Sequence, residues 1–171
     1  LRLSEFALSR KAPQYVPRAK AIQAEERKRR AGEDTDALLG HDPKTTGLGS
    51  FIMALKPGDG SAREQAASCQ RVLGGCANLC AEFATKRYRS NVVNWGMLPF
   101  QAPDVKDWNI QPGDRLYIPG VRAALERGDE TISAVLLQNG HEKPVTLTLP
   151  GITEEERAII LAGCLINYYA K

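Results

Sequence analysis

The chain has 171 residues, of which 43% are apolar and 25% are charged, a composition typical of a soluble globular protein of one domain. Its net charge of +3 is too small and too little clustered to indicate nucleic-acid binding, and no apolar run approaches the length of a membrane span. The chain begins without a methionine or a signal-peptide pattern, so we expect an excerpt from a longer protein or a processed product.

Residues 1–48 are predicted to form a helical and loop segment that precedes a core at residues 49–171. We expect a short helix at 4–9 and a second helix from Pro17 to about Ala31. The second helix is polar on all sides and is therefore predicted to lie on the surface. Gly32 ends it, and a long exposed loop follows up to Gly49.

The second helix ends in a basic run, Arg27 to Arg30. Such a run either attracts RNA or an acidic partner, or forms a solvated last turn that suits the helix dipole. The sequence pattern favours the solvated turn.

A glycine-bearing loop lies between an apolar run at 50–55, which predicts a buried strand, and a helical run at 64–73. A strand, a glycine loop and a helix in this order point free backbone N–H groups at an anion. We predict that Gly58 and Gly60 let the backbone turn sharply and approach a ligand, and that Ser61 is the N-cap. Arg63 adds a planar cation suited to a carboxylate or a phosphate.

The same loop has a purely structural interpretation. Ser61 and Glu64 fit the capping box S-x-x-E, which does no more than start a helix. The spacing alone favours this structural interpretation over an anion site.

A second strand is predicted at 76–81. Cys76 and Cys80 share one face of it, and no further metal ligand is evident nearby, so we expect small core thiols. Together with Cys69 and Cys164 they make four cysteines without a CxxC pair, which predicts reduced thiols and a cytoplasmic location.

Residues 82–91 are predicted to be either a basic rim near an anion site or a surface loop, and the apolar run 92–100 is predicted to re-enter the core. A turn at 112–114 precedes a strand at 115–118. Strands at 131–138 and 143–149 flank Asn139-Gly140, a strong hairpin signal. Thr153 and Glu156 form a second capping box, which opens the terminal helix.

These elements resemble the C-terminal swivel domain of the aconitase superfamily. The resemblance is carried by GDGSAREQAA, then LGG, then FATKRYRSNVVNWGMLPFQ and QPGDRLYIPG, from Phe51 to about Gly120. The family pattern is G-S-S-R-E-x-A-A, L-G, S-F-A-R-I-H-x-x-N and G-x-L-P-L. The tail LAGCLINYYAK also resembles the family's C-terminus.

The resemblance implies an α/β fold with a three-layer β/β/α swivel arrangement. It implies a hydro-lyase that acts on hydroxy di- or tricarboxylic acids, with a [4Fe–4S] cluster whose ligands belong to other domains. Ser61 would be the catalytic base at carbon and Arg63 would bind a substrate carboxylate, with Gly60 and Ala62 as the other substrate-binding residues. The expected partners are the substrate and the cluster-bearing domains, with no membrane.

The sequence departs from the family pattern at two positions. The second serine of the motif is Ala62, which lacks the hydroxyl but keeps the backbone N–H. The segment 83–91 is one residue longer than usual, with Tyr88 in place of a histidine. The usual first strand does not precede Leu1, which favours a piece of a large hydratase over the small subunit of an isopropylmalate isomerase. A non-catalytic RNA-binding aconitase relative is a further alternative.

Overall fold

The computed structural model describes residues 2–9 and 12–170 and contains helices on a mixed β-sheet. The helices are α1 (Arg2–Ser9), α2 (Tyr15–Arg30), α3 (Arg63–Val72), α4 (Lys86–Asn94), α5 (Val121–Arg127), α6 (Glu154–Ala162) and α7 (Leu165–Tyr169). The strands are β1 (Ser50–Ala54), β2 (Gly75–Cys80), β3 (Leu98–Gln101), β4 (Arg115–Tyr117), β5 (Thr131–Gln138) and β6 (His141–Thr148). Short 3-10 helices lie at Asp36–Leu38 and Val105–Trp108.

The sheet has two halves of different direction. Its strand order is β1-β2-β3-β6-β5-β4, with β1, β2 and β3 parallel and the other neighbours antiparallel. Helices α3 and α4 are the crossovers that parallel pairing requires. The carboxyl ends of β1 and β2 therefore lie at one edge, and each is followed by the start of a helix.

The two halves of the sheet join at β3 and β6, which pair at Gln101 and Thr148. Pro99 lies inside β3 and has no N–H to give to a ladder. It is tolerated there because the pairing of β3 with β6 is confined to the end of the strand, at Gln101.

Alternate residues of β2 face different layers. Ala77 and Leu79 belong to the main core, whereas the side chain of Asn78 is bonded to residues of α3 and α4. The main core continues into the antiparallel half through Phe100, Ile132, Ala134, Leu136 and Leu147. The parallel strands thus have helices on one face. On the other face they have the main core, to which the antiparallel strands also contribute. The predicted α/β class and its β/β/α layering are confirmed.

The C-terminal hairpin forms as predicted. Asn139 and Gly140 have φ values of +50° and +77°, the left-handed conformations that a tight hairpin turn needs. The ladder runs from Gln138 opposite His141 to Thr131 opposite Thr148, so β6 begins two residues before the predicted Lys143.

The N-terminal segment is more closely packed than the sequence predicts. Val16 and Ala19 of α2 are buried and contact Leu73 at the end of α3. The predicted exposed loop 32–49 buries Thr35 and Leu38. Thr35 caps the 3-10 helix by accepting a hydrogen bond from the backbone N–H of Ala37, so the prediction of a long exposed loop fails at this short helix.

The terminal helix is divided into α6 and α7 at Gly163, which has a φ of +92°. The predicted capping box at its start is present, because the Thr153 hydroxyl accepts from the Glu156 backbone and the Glu156 carboxylate accepts from the Thr153 backbone. In the described part of the chain, every helix is too short or too polar to cross a membrane.

Candidate functional site

The predicted loop lies at the carboxyl edge of the parallel strands, between β1 and α3. The next loop along this edge joins β2 to α4, and its Thr85 hydroxyl donates a 3.0 Å hydrogen bond to the carbonyl of Gly58. The starts of α3 and α4 are therefore held side by side. Clefts at the carboxyl ends of parallel strands are the common ligand sites of α/β proteins.

Ser61 is not the N-cap of α3, which corrects the sequence prediction. The helix begins at Arg63, its N-cap is Ala62, and the cap makes no side-chain hydrogen bond. The first backbone bond runs from the N–H of Ala66 to the carbonyl of Ala62, which places Ser61 one residue too early to cap. Ser61 is exposed, and its hydroxyl makes no hydrogen bond with the described residues.

The hydrogen bonds at the start of α3 are made instead with residues of α4 and of the turn that follows α4. In the amide orientation that satisfies both of its polar atoms, Asn91 accepts from the Glu64 backbone N–H at 3.0 Å and donates to the Glu64 carboxylate at 3.1 Å. The indole N–H of Trp95 donates to the same carboxylate. Glu64 therefore connects the start of α3 to α4. The predicted S-x-x-E capping box does not form.

Arg63 is held at one end only. Its Nε donates a 3.0 Å hydrogen bond to the carbonyl of Gly58, and the side chain is half-buried. Within residues 2–9 and 12–170, no carboxylate forms an ion pair with it, and its two terminal nitrogens have no hydrogen-bond partner. The fork of the guanidinium is thus available to a ligand.

The two glycines of the predicted loop, Gly58 and Gly60, differ in backbone conformation and in the space around them. Gly58 has a φ of +99°, and a Cβ there would lie 2.4–2.7 Å from atoms of Tyr88, so the position has no room for a side chain. Gly60 does not adopt a positive φ, and a Cβ there would meet open space. The close approach predicted for both residues is therefore a property of Gly58.

Tyr88 and two other buried side chains form a closed ring of hydrogen bonds that sequence reasoning missed. Gln70 donates to the Tyr88 hydroxyl at 2.8 Å, Tyr88 donates to Asn78 at 2.9 Å, and Asn78 donates to Gln70 at 2.6 Å. The ring joins α3, β2 and α4. Burial raises the pKa of Tyr88, although the bond from Gln70 opposes this, so the hydroxyl stays a donor at neutral pH.

The predicted loop or basic rim at 82–91 is largely the first part of helix α4. The cap at Thr85 accepts a 3.2 Å hydrogen bond from the Tyr88 backbone N–H. A threonine followed by basic residues lacks the acidic or amide partner of a capping box, which explains why no helix start is predicted here from the sequence. Lys86 and Arg87 are exposed on the first turn, beside the Gly58 loop that Thr85 contacts.

Comparison with known proteins assigns the family. Residues 19–105, which include the loop, α3 and α4, match the model of the aconitase C-terminal domain. The chain belongs to the aconitase C-terminal domain family. The resemblance found in the sequence is therefore confirmed.

Two relatives show the extent of this likeness. A putative mitochondrial aconitate hydratase of Aspergillus fumigatus is 30% identical over 118 residues, which are 67% of this chain and 14% of that protein. This aconitase C-terminal domain therefore spans about a seventh of that relative. A crystal structure of the 3-isopropylmalate dehydratase of Methanocaldococcus jannaschii superposes with a TM-score of 0.46 and 24% identity, covering 82% of this chain and 71% of that one.

The cysteines of this aconitase C-terminal domain do not converge. Cys80 is buried as predicted, whereas Cys76 is exposed, so the prediction of a core thiol at Cys76 is wrong. Cys69 is also buried and Cys164 is half-buried. Burial raises the pKa of Cys80 to about 12, and its thiol donates to the carbonyl of Phe100. In the part of the chain that the structure describes, no three Cys, His, Asp or Glu side chains are close enough to hold a metal ion.

Proposed function

We propose that this domain contributes substrate-binding and proton-transfer groups to an aconitase-type hydro-lyase acting on a hydroxy di- or tricarboxylic acid. The observation that carries the proposal is the arrangement at the start of α3. There, Arg63 is anchored through Nε with its terminal nitrogens unpaired, two residues after a serine with a free hydroxyl.

The proposed role of Arg63 is to bind a substrate carboxylate. Its terminal nitrogens present two parallel N–H donors, which match the two oxygens of a carboxylate. Since the backbone bonds of α3 begin at Ala66, the N–H groups of Arg63 and Gln65 are not used by the helix, and they add a positive potential. Gly60 and Ala62 would line the same site through their backbone.

The proposed role of Ser61 is that of the base at carbon. In the elimination direction, its oxygen takes the proton of the C–H bond, the electron pair of that bond forms the double bond, and the hydroxyl leaves the neighbouring carbon. The helix N-terminus and the charge of Arg63 stabilise the alkoxide that this role needs. In the hydration direction, Ser61 returns the proton.

The proposal places the [4Fe–4S] cluster outside this chain. The donor set of the described residues does not fit a cluster, because the cysteines lie apart and in different surroundings. A cluster bound by other domains of a longer protein would polarise the departing hydroxyl. Those domains are the proposed partners of this one, and a cytoplasmic location remains a prediction.

The basic run of α2 does not support the RNA-binding alternative. Arg29 and Arg30 both pair with Glu26, and Lys28 pairs with Glu25. Two carboxylates of the same helix therefore engage three of the four basic side chains of the run. This pairing supports the interpretation of the run as a solvated last turn.

The proposal is tested by a crossed pair of variants in the full-length protein, with aconitate and 3-isopropylmalate as probes. Ser61→Ala should lower kcat by a factor on the order of a hundred or more with little change in Kd, as expected for loss of a positioned base. Arg63→Lys should mainly weaken binding, because a point charge cannot reproduce the bidentate fork.

Thermal unfolding supplies the control. Because Ser61 does not cap α3, Ser61→Ala should leave the Tm unchanged, whereas Thr153→Ala removes a true cap and should lower the Tm at an unchanged kcat. A Ser61→Ala protein that turns over substrate at the wild-type rate would contradict the assignment of the base.

A further inference from the structure

The carbonyl of Gly58 is a shared acceptor between the candidate site and α4. It accepts from Arg63 Nε at 3.0 Å and from the Thr85 hydroxyl at 3.0 Å. A carbonyl oxygen has two lone pairs, and here both are used. The orientation of Arg63 is therefore coupled to that of Thr85 through one oxygen atom.

Thr85 is itself fixed by the helix that it caps. Its oxygen accepts from the backbone N–H of Tyr88 at 3.2 Å while its hydroxyl proton points to Gly58. A threonine hydroxyl has one proton, so the same atom caps α4 and orients the loop without conflict. Loss of the hydroxyl would remove both interactions, whereas serine would keep both.

The aromatic ring of Tyr88 packs against the loop at Gly58. The ring lies so close to the Cα of Gly58 that a Cβ there would be 2.6 Å from its Cγ. The ring cannot retreat, because its hydroxyl is bonded to both Gln70 and Asn78 and the side chain is 4% exposed. The peptide that carries the Gly58 carbonyl is thus confined between this ring and the Thr85 hydroxyl.

We propose that Thr85, supported by the Tyr88 ring, is a positioning residue that aims the guanidinium of Arg63 at the substrate carboxylate. This inference rests on the proposed function of Arg63 and deepens it. Thr85 touches no reacting atom. It acts through the Gly58 carbonyl, which holds Nε and leaves the two terminal nitrogens free.

The first test compares Thr85→Val with Thr85→Ser in the full-length protein, with aconitate as the probe. Thr85→Val removes the hydroxyl at nearly constant shape and should raise KM about tenfold, a change typical of losing one hydrogen bond, with kcat little affected. Thr85→Ser should restore KM to within about twofold, because it keeps the same donor and acceptor.

Thr153→Val is the matched control. It removes a threonine N-cap from α6, which the structure places on a different helix, and should lower the Tm without changing KM. If Thr85→Val also lowers the Tm and leaves KM unchanged, Thr85 is only a cap and the inference is overturned.

A double-mutant cycle and a crystal structure separate this inference from the proposed function. If Thr85 acts through Arg63, Thr85→Val should add little in an Arg63→Lys background. If Arg63→Lys alone leaves KM unchanged, the proposed role of Arg63 fails instead. In that case, the crystal structure of the Thr85→Val variant still tests whether Thr85 positions Arg63. We expect Arg63 Nε to leave the Gly58 carbonyl, and a retained bond near the present 3.0 Å would overturn the inference.

Discussion

The guanidinium of Arg89 and the carboxylate of Glu156 meet in a two-bond fork, with N–O distances of 2.8 and 3.0 Å. The two side chains are 14% and 19% exposed, so the pair is largely removed from water. Glu156 also closes the capping box of α6 with Thr153. A single carboxylate therefore starts the C-terminal helix and binds it to α4, the helix beside the candidate site.

This carboxylate should make stability depend on pH. Burial alone would raise the pKa of Glu156, but the hydrogen bonds from Arg89 and the Thr153 backbone hold it below its ordinary value of 4.5. A depressed pKa gives stability that is fully present above the unfolded value and is lost as the pH falls through the folded one. We expect Glu156→Gln to reduce the free energy of unfolding by about 1–3 kcal/mol at pH 7, measured by urea denaturation.

Glu154→Gln is the control for that measurement. Glu154 lies in the same first turn and is exposed, so it shares the helix dipole but not the fork. Its replacement should cost at most a few tenths of a kcal/mol. Equal effects of the two variants would show that the fork between Arg89 and Glu156 adds nothing to the free energy of unfolding.

A second acid-sensitive group lies in the N-terminal segment. Burial would raise the pKa of Glu26, but bonds from Arg29, Arg30 and the Leu48 backbone N–H lower it to about 2. The stabilisation is fully present above pH 4.5, the ordinary value, and is lost as the pH falls toward about 2. Glu26→Gln should flatten the pH dependence of unfolding over this window, whereas the exposed Glu33→Gln should not.

Gly96 is predicted to be intolerant of any side chain. A Cβ at this position would lie 1.8 Å from the carbonyl oxygen of Gly163, at the end of α6, and its φ is +69°. Gly96→Ala should therefore lower the free energy of unfolding by about 3 kcal/mol or more, because a backbone clash adds to the backbone strain.

The turn glycine Gly140 provides a matched comparison. Its φ of +77° is similar, but a Cβ there would meet nothing within 4 Å. Gly140→Ala should therefore show the cost of the left-handed conformation alone, about 1–2 kcal/mol. If both variants unfold at the same urea concentration, α6 does not approach Gly96 as closely as described.

The ring of hydrogen bonds around Tyr88 should be sensitive to loss of one hydroxyl. Tyr88→Phe leaves buried polar atoms of Gln70 and Asn78 without a partner, at a cost of about 1–3 kcal/mol. Tyr117→Phe is the control, because the Tyr117 ring stacks on His41 and its hydroxyl makes no hydrogen bond with the described residues. Thermal unfolding should show a lower Tm for the first variant and little change for the second.

The sequence predicted elements whose signals are local. The Asn139-Gly140 turn and the Thr153 capping box involve residues a few positions apart, and both form. The start of α3 was predicted wrongly because its true partner, Asn91, is distant in sequence. Thr85 and the ring around Tyr88 were missed for the same reason, since their contacts exist only once α3, β2 and α4 have packed.

Helix α5 at Val121–Arg127 was also missed. It is seven residues long and begins after Gly120 without a side-chain cap, so it carries neither the length nor the start signal that sequence patterns need. The strand, glycine loop and helix in the sequence predict Ser61 and Arg63 as site residues, and the resemblance to the family implies their roles. The support of Arg63 by Gly58 and Thr85 could be found only in the structure, because these contacts join separate elements.

The joint between the two halves of the sheet has a consequence for how the chain folds. Beyond the pair Gln101–Thr148, the described residues form no ladder between β3 and β6. The hairpin of β5 and β6 closes over a two-residue turn, whereas each parallel pair must wait for a helical crossover to form. Contacts of short sequence separation form faster, so we expect the hairpin to protect its amides from hydrogen exchange before β1 and β2 do in a refolding pulse-labelling experiment.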